Sequence, residues 1–450
     1  MSSLDGWTIA LVLLIAYGAI VLALYRLGRI GPDRVLSLFG PALMIKTRQG
    51  RGALERLGRF RRFWSVAGDV GIALAAIAMV TIVIVLVLDA IIAVQIPASA
   101  APSPQMALGI PGINPIIPVG YGLVALVVGV VLHELAHGVI ARSQDIGVKS
   151  LGILWFVVPI GAFVEQDDED MTKASRRRRD RVAAGGVLAN FVLTVLFFAL
   201  LASLVSTSVQ PNADGVGIAY VVPGTPAANA SFAPGDIITA VNGTPTTTNA
   251  ALFSVLSQSK ANETVLVSYY SASAHAPLTR SVTLAPLAAY TNNSADAGKG
   301  FLGISLSYLT PAQLKTELTS PASSTDGPLI GVTKWVVLPL AGVEPVAGTT
   351  TSYYHLSGPL AGADPGAFWI AANVLYWLAW MNLLLGMSNA LPLFPLDGGL
   401  LFRDFTASIV TRVRRGWDEK ALDRFSGRAA AAASVAVLFL LLWQFVAPRL

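Results

Sequence analysis

The sequence predicts a polytopic α-helical membrane protein of about six transmembrane helices, with a small α+β domain inserted between the fourth and the fifth. Three observations carry this reading. Hydrophobic residues make up 54% of the chain and charged residues only 13%, against about 25% charge in an ordinary soluble domain. Six apolar runs stand out at the length a hydrocarbon core demands, roughly 17–25 residues for a helix. One long segment, 206–366, breaks that pattern. It is rich in Ser, Thr, Asn, Ala and Gly and alternates as strands do, for example in Thr264-Val265-Leu266-Val267-Ser268-Tyr269-Tyr270.

The first run, Trp7 to Tyr25, follows the flank Met-Ser-Ser-Leu-Asp, which is not basic, and no small-residue cleavage site comes after it. It reads as a retained helix and not as a signal peptide. The stretch from Arg26 to Arg62 is basic, and its apolar middle, Leu38 to Ile45, is too short to span and is expected at the membrane interface. The second run is Val70 to Val94. Residues 95–118 are uncharged and rich in Pro, which predicts an extended connection. The third run is Gly120 to Ala141. Leu151 to Val164 is apolar, rich in Gly and β-branched residues and too short for a helical span. It predicts strand-like backbone against the membrane core, which is tolerated where it is buried in protein or lines a water-filled cavity. An Arg run, Arg176 to Arg179, precedes the fourth span, Val182 to Val205. That span opens with Gly185-Gly186 and carries Asn190. Gly permits close helix packing there, and an Asn inside a span needs a hydrogen-bond partner. The fifth run is Phe368 to Leu391 and the sixth Ala429 to Val446. The expected division is a membrane core over 1–206, a globular insert followed by a loose linker up to 366 and the rest of the membrane core over 367–450.

Basic residues orient these spans. Residues 26–62, 142–182 and 403–428 are rich in Lys and Arg, whereas 95–118 hold none and the long insert few. The rich and poor loops alternate in the way the positive-inside bias requires. Both termini and the insert are therefore expected outside the cytoplasm, in a plasma membrane. Sequons at Asn229, Asn242, Asn262 and Asn292 all fall in the insert and agree with that side. The net charge of +5 is then a matter of topology, and no nucleic-acid partner is expected. The absence of Cys excludes disulfides, iron–sulfur clusters and thiolate zinc sites. A zinc site here must use His and carboxylates, which is a catalytic ligand set.

The third run ends in His133-Glu134-Leu135-Ala136-His137-Gly138. On a helix, positions i and i+4 share a face, so both imidazoles can reach one metal ion, with Glu134 beside them to take a proton from a water activated by it. Chance is a poor account of the pattern: 4 His in 450 residues make it a coincidence on the order of 0.001 per chain. Ionisable residues in an apolar span cost roughly 2.5–3.5 kcal/mol each, so they mark function by default. Two His leave a catalytic site one protein ligand short. His275 and His355 lie in the outer insert. Asp397, in Pro395-Leu396-Asp397-Gly398, reads by itself as a turn residue. It also follows a span running in the same direction as the third, at similar depth, which makes it the better candidate.

His133-Glu134-Leu135-Ala136-His137-Gly138, the Gly186-x-x-x-Asn190 pair and Asn389-x-x-Pro392-x-x-Pro395-Leu396-Asp397-Gly398 together resemble the signatures of site-2 proteases, the intramembrane zinc metalloproteases of peptidase family M50. The resemblance implies that His133, His137 and Asp397 hold one zinc ion and that Glu134 is the general base. It implies that the substrates are single transmembrane segments cut within the bilayer, often to release a membrane-held regulator. Asn389 and Asn190 are candidates for holding an unwound substrate strand or the oxyanion, with helix-to-helix hydrogen bonding as the alternative. In the insert, Val221 to Ala228 followed by Phe232-Ala233-Pro234-Gly235-Asp236-Ile237-Ile238 resembles a PDZ domain of the protease-associated kind. The resemblance implies a domain over 213–288, with residues 248–258 as its groove-lining helix and a linker with extra strands over 289–366. Such a domain either binds an extended peptide by strand addition or filters substrates by bulk.

Overall fold

The structure is a computed structural model that describes residues 6–31, 34–291, 293–323, 327–413 and 416–450. The N-terminal flank, the sequon at Asn292 and Arg414–Arg415 of the last basic stretch lie outside the described residues. The chain divides into two compact units, one of residues 1–195 with 378–450 and one of residues 196–377.

In the first unit, α1 (Gly6–Arg26) leads to strands β1 (Leu36–Phe39) and β2 (Ala42–Thr47), then α2 (Arg51–Gly58), α3 (Arg61–Ala93) and α4 (Val119–Ser143). Strands β3 (Val148–Phe156) and β4 (Val158–Gln166), the short helix α5 (Asp168–Lys173) and α6 (Arg176–Ser208) follow. The strands form one antiparallel sheet in the order β1-β2-β3-β4. Leu38 to Ile45, too short to span, forms a hairpin whose second strand pairs with β3, Leu43 opposite Trp155. The Gly40-Pro41 turn pairs Leu38 with Leu43, and the second strand pairs with β3, so the ladders satisfy the backbone, which an isolated short segment in a membrane could not do. Leu151 to Val164 is strand-like, as expected, and β4 packs on the helix that bears the His pair.

Helices α3 and α6 have 33 residues each, about 50 Å at 1.5 Å per residue. That is some 20 Å more than a hydrocarbon core of about 30 Å requires. The excess carries Arg61, Arg62 and Arg176 to Arg179, which the sequence placed in loops. Hydropathy sees only the apolar part of a helix, and Arg is a good helix former that continues it into water. These extensions are tied together: Asp69 of α3 accepts from Arg177 at 2.8 Å and from Arg181 at 2.8 Å, and Gly68 lets the Arg181 stem lie against the backbone of α3.

In the second unit, β5 (Val216–Val221), β6 (Ile237–Val241), helix α7 (Asn249–Gln258), β7 (Thr264–Ser271), β8 (Ala276–Thr283) and β9 (Ile304–Leu306) make up a small α+β domain. The sheet runs β8-β7-β6-β5-β9. Val216, Ile218, Ile238, Leu252, Val265 and Val267 fill its core. Strand β9 comes from the segment after 288 and pairs with β5. Asp236 is 2% exposed and accepts from the backbone N–H of Ala233 and of Ala272 at 2.9 Å each, so the Gly235-Asp236 motif is a structural clasp. Helices α8 (Pro311–Thr319) and α9 (Pro328–Val337) follow.

The chain closes with α10 (Pro365–Asn389), α11 (Asp397–Val413) and α12 (Glu419–Val446). Helices α3, α4, α6, α10 and α12 are long and apolar enough to cross a membrane, five in all among the described residues. The protein is thus an integral membrane protein of several spans. In α1 the apolar stretch is shorter, Leu11–Arg26, so five of the six expected spans meet this criterion.

Candidate metal centre

Three helices build the centre. Helix α4 presents His133 and His137 from consecutive turns, each 6% exposed. Helix α6 packs on them through glycine. A Cβ on Gly186 would stand 2.4 Å from His133 Nε2 and 2.5 Å from His137 Nε2, so only Gly fits, and neighbouring Gly185 admits Ile140 in the same way. Helix α11 starts at Asp397. The preceding loop folds over that start so closely that a Cβ on Gly398 would meet the Ala390 and Leu391 carbonyl oxygens at 2.3 Å. The Asp-Gly-Gly sequence therefore turns the chain and leaves the carboxylate at a helix N-terminus, where negative charge is favoured.

The side chains converge. His133 Nε2 and His137 Nε2 are 3.1 Å apart, and Asp397 Oδ2 lies 3.2 Å from the first and 3.3 Å from the second. Bonds of about 2.0–2.1 Å to a tetrahedral zinc ion place ligand atoms roughly 3.3 Å from one another. The tautomer agrees as well. His137 Nδ1 is 2.7 Å from the Val182 carbonyl oxygen, so it carries the proton and Nε2 turns a lone pair inward. Asp397 Oδ2 is buried without a hydrogen bond. Three electron-pair donors facing one point repel unless a cation sits among them, and His133, His137 and Asp397 are the one group of this kind among the described residues.

Glu134 stands beside this triangle, half-buried, and its Oε2 accepts the Val164 N–H of β4 at 3.2 Å. A cavity of about 290 Å³ is bordered by Glu134, His137 and Asp397, with Val164, Arg179 and Asp404 in its wall. It leaves room for a water molecule and a peptide carbonyl beside the carboxylate. Asn389 is half-buried and its Nδ2 donates to the Leu385 carbonyl of its own helix at 3.0 Å. Asn190 is fully buried, and neither atom of its amide has a hydrogen-bond partner. His355 lies in the other unit and bonds Asn212, and His275 lies there too, with a positive φ of 51°. Neither belongs to the convergent group.

Sequence reading missed the Val164 N–H and the Val182 carbonyl. Both are backbone groups of apolar residues and have no signature. It also missed Asn382, which carried the same signal as Asn190, an amide inside an apolar span.

Comparison with known proteins bears on the same residues. The chain is 33% identical over 161 residues to an uncharacterised protein of Methanocaldococcus jannaschii, a match covering 35% of this chain and 42% of that one. It is 31% identical over 163 residues to the metalloprotease MmpA of Caulobacter vibrioides, covering 26% of this chain and 40% of the relative. It is 28% identical over 323 residues to a Nostoc protein named "Putative zinc metalloprotease all3971", covering 62% of this chain and 83% of the relative. The chain thus spans about two fifths of the length of the first two. The family model described as peptidase family M50 matches residues 121–432, which take in His133, Glu134, His137 and Asp397. The chain belongs to peptidase family M50.

Proposed function

We propose that the protein is a zinc-dependent intramembrane endopeptidase that hydrolyses peptide bonds within transmembrane segments of membrane-anchored proteins. The observation that carries this is the buried triangle of His133, His137 and Asp397 beside Glu134, at the end of a helix apolar enough to span a membrane. One zinc ion per chain is held by those three residues. When bound, it supplies a Lewis acid that polarises a carbonyl and makes water a nucleophile near neutral pH. Glu134 takes the proton from the attacking water as the water oxygen bonds to the substrate carbonyl carbon. It returns the proton to the leaving amine as the C–N bond breaks. The Val164 N–H fixes the Glu134 carboxylate, and the Val182 carbonyl fixes the His137 ring. A substrate helix must unwind before its carbonyl is accessible, and in this reading the Asn389 amide, whose Nδ2 also bonds the Leu385 carbonyl, receives a freed N–H.

The finer architecture belongs to the same reading. Helix α1 is the sixth span, in a plasma membrane. The basic ends of α3 and α6 lie toward the cytoplasm with the active site, and both termini and the insert lie outside. The domain of β5 to β9 with α7 is PDZ-like and takes an extended peptide or screens substrates. The partners are transmembrane proteins or peptides and the lipid bilayer.

The test is cleavage of a single-span reporter by the purified protein. Cleavage by the wild type, lost on chelation and regained with zinc, supports the reading. Cleavage that survives chelation overturns it.

A further inference from the structure

His133 Nδ1 is buried and has no hydrogen-bond partner, unlike His137 Nδ1, which faces Val182. The Asn382 Oδ1 and both amide atoms of Asn190 are also buried and unpartnered. Asn190 and Asn382 are each 0% exposed. Buried polar atoms without partners are rare and call for a reason. These groups come from three helices, α4, α6 and α10, and one pattern relates them.

Each helix carries a glycine one turn from its polar residue: Gly129 before His133, Gly186 before Asn190, Gly386 after Asn382. Each glycine is in contact with the polar residue of another helix. His133 lies on Gly186, where a Cβ would be 2.4 Å from its Cε1; Asn382 Oδ1 lies 3.2 Å from a Cβ built on Gly129; the Asn190 Cβ lies 3.4 Å from one built on Gly386. The three contacts close a ring. Helical side chains lean over the preceding turn. His133 thus leans toward Gly129, where Asn382 Oδ1 is, and Asn190 leans toward Gly186, where the His133 ring is. Donors and acceptors match. With Nε2 aimed at the metal point, His133 Nδ1 carries the proton and donates. Asn382 Nδ2 is used on its own helix, to the Leu378 carbonyl at 2.8 Å, which leaves Oδ1 as an acceptor.

We infer that Asn382 and Asn190 are positioning residues for the metal centre: with one internal water molecule they form a buried hydrogen-bonded site that takes the His133 Nδ1–H and fixes that ring for zinc. A buried water typically makes about three hydrogen bonds to otherwise unsatisfied groups, which is the number of side chains here. The inference rests on His133 being a zinc ligand. Removing such an outer partner of a metal-bound His typically weakens metal binding about 10–100-fold.

The experiment is zinc affinity of the purified full-length protein by competition with a chelator, together with thermal melting of the metal-free protein. Asn382→Leu is expected to weaken zinc binding about 10–100-fold with the metal-free melting temperature unchanged. Asn382→Asp, which keeps the acceptor, is expected to bind zinc within about threefold of wild type. Asn190→Leu reads the other side of the site and is expected to weaken zinc binding in the same way. Wild-type zinc affinity in both Leu variants overturns the inference, as does failure of Asn382→Asp to restore it. If Asn382→Leu does not fold, Asn190→Leu and Asn382→Asp decide alone. Loss of zinc binding in a His133→Ala control separates this outcome from failure of the ligand assignment: a control that still binds zinc as wild type rejects that assignment and the inference with it.

Discussion

At the residue scale, the centre depends on atoms whose neighbours leave no slack. Glu134→Gln keeps size and hydrogen bonding but cannot carry a proton. It is expected to lower turnover by at least about 10²-fold while zinc content, read by elemental analysis, stays at wild type. Gly186→Ala puts a methyl group within 2.4 Å of the His133 ring. It is expected to cost zinc affinity before it costs the fold, so chelator competition should detect it while secondary structure by circular dichroism is unchanged. The sequence displayed the chemistry of this centre because His133, Glu134 and His137 fall at helical spacing. Asp397 was less plain, since Asp-Gly after Pro is an ordinary turn signal, and it stood out only through the direction of the span before it and its flanking motif. The groups that aim these side chains were silent. The Val164 N–H and the Val182 carbonyl are backbone, and any residue brings them.

At the element scale, helix α4, which bears His133 and His137, is held by α2 and the sheet. Leu54 is 3% exposed and packs against Gly138 and the cluster of Val139, Ile140 and Val164. Leu54→Ala is expected to cost about 2–5 kcal/mol, read as a lowered melting temperature in detergent. Helix α5 shows a pH effect. Asp167 caps it by accepting from the Asp170 and Glu169 N–H groups. Those bonds, the Asp170 one foremost, hold its pKa below the ordinary 3.8, with Lys149 adding to them. A depressed carboxylate stabilises the folded state above its unfolded pKa, and the contribution fades as pH falls through the folded one. The wild type should therefore lose stability on acidification below that ordinary value more steeply than Asp167→Asn, which still caps but does not titrate. Element boundaries were less legible than element types. The helix starts at Arg61 and Arg176 lie beyond the apolar runs, and the Leu38 to Ile45 hairpin needs β3, far along the chain, to make sense of it.

At the scale of the whole molecule, alternation of basic and non-basic loops gave an orientation without any knowledge of the fold. Because the chain has no Cys, single-cysteine labelling has no background. An impermeant maleimide should reach Ser257→Cys in intact cells and Arg178→Cys only after permeabilisation. Labelling of both from the same side would refute the proposed topology. The pairing of β9 with β5 was not legible as such, because a three-residue strand has too few positions to show a period. The five long helices and the α+β unit were legible, since each depends on composition over tens of residues.

The most direct test of the account compares wild type with Glu134→Gln on one single-span reporter, both purified and loaded with zinc. A product is expected from the wild type alone, cut within the transmembrane segment. Equal cleavage by the two would contradict it, because the proton transfer assigned to Glu134 would then be dispensable.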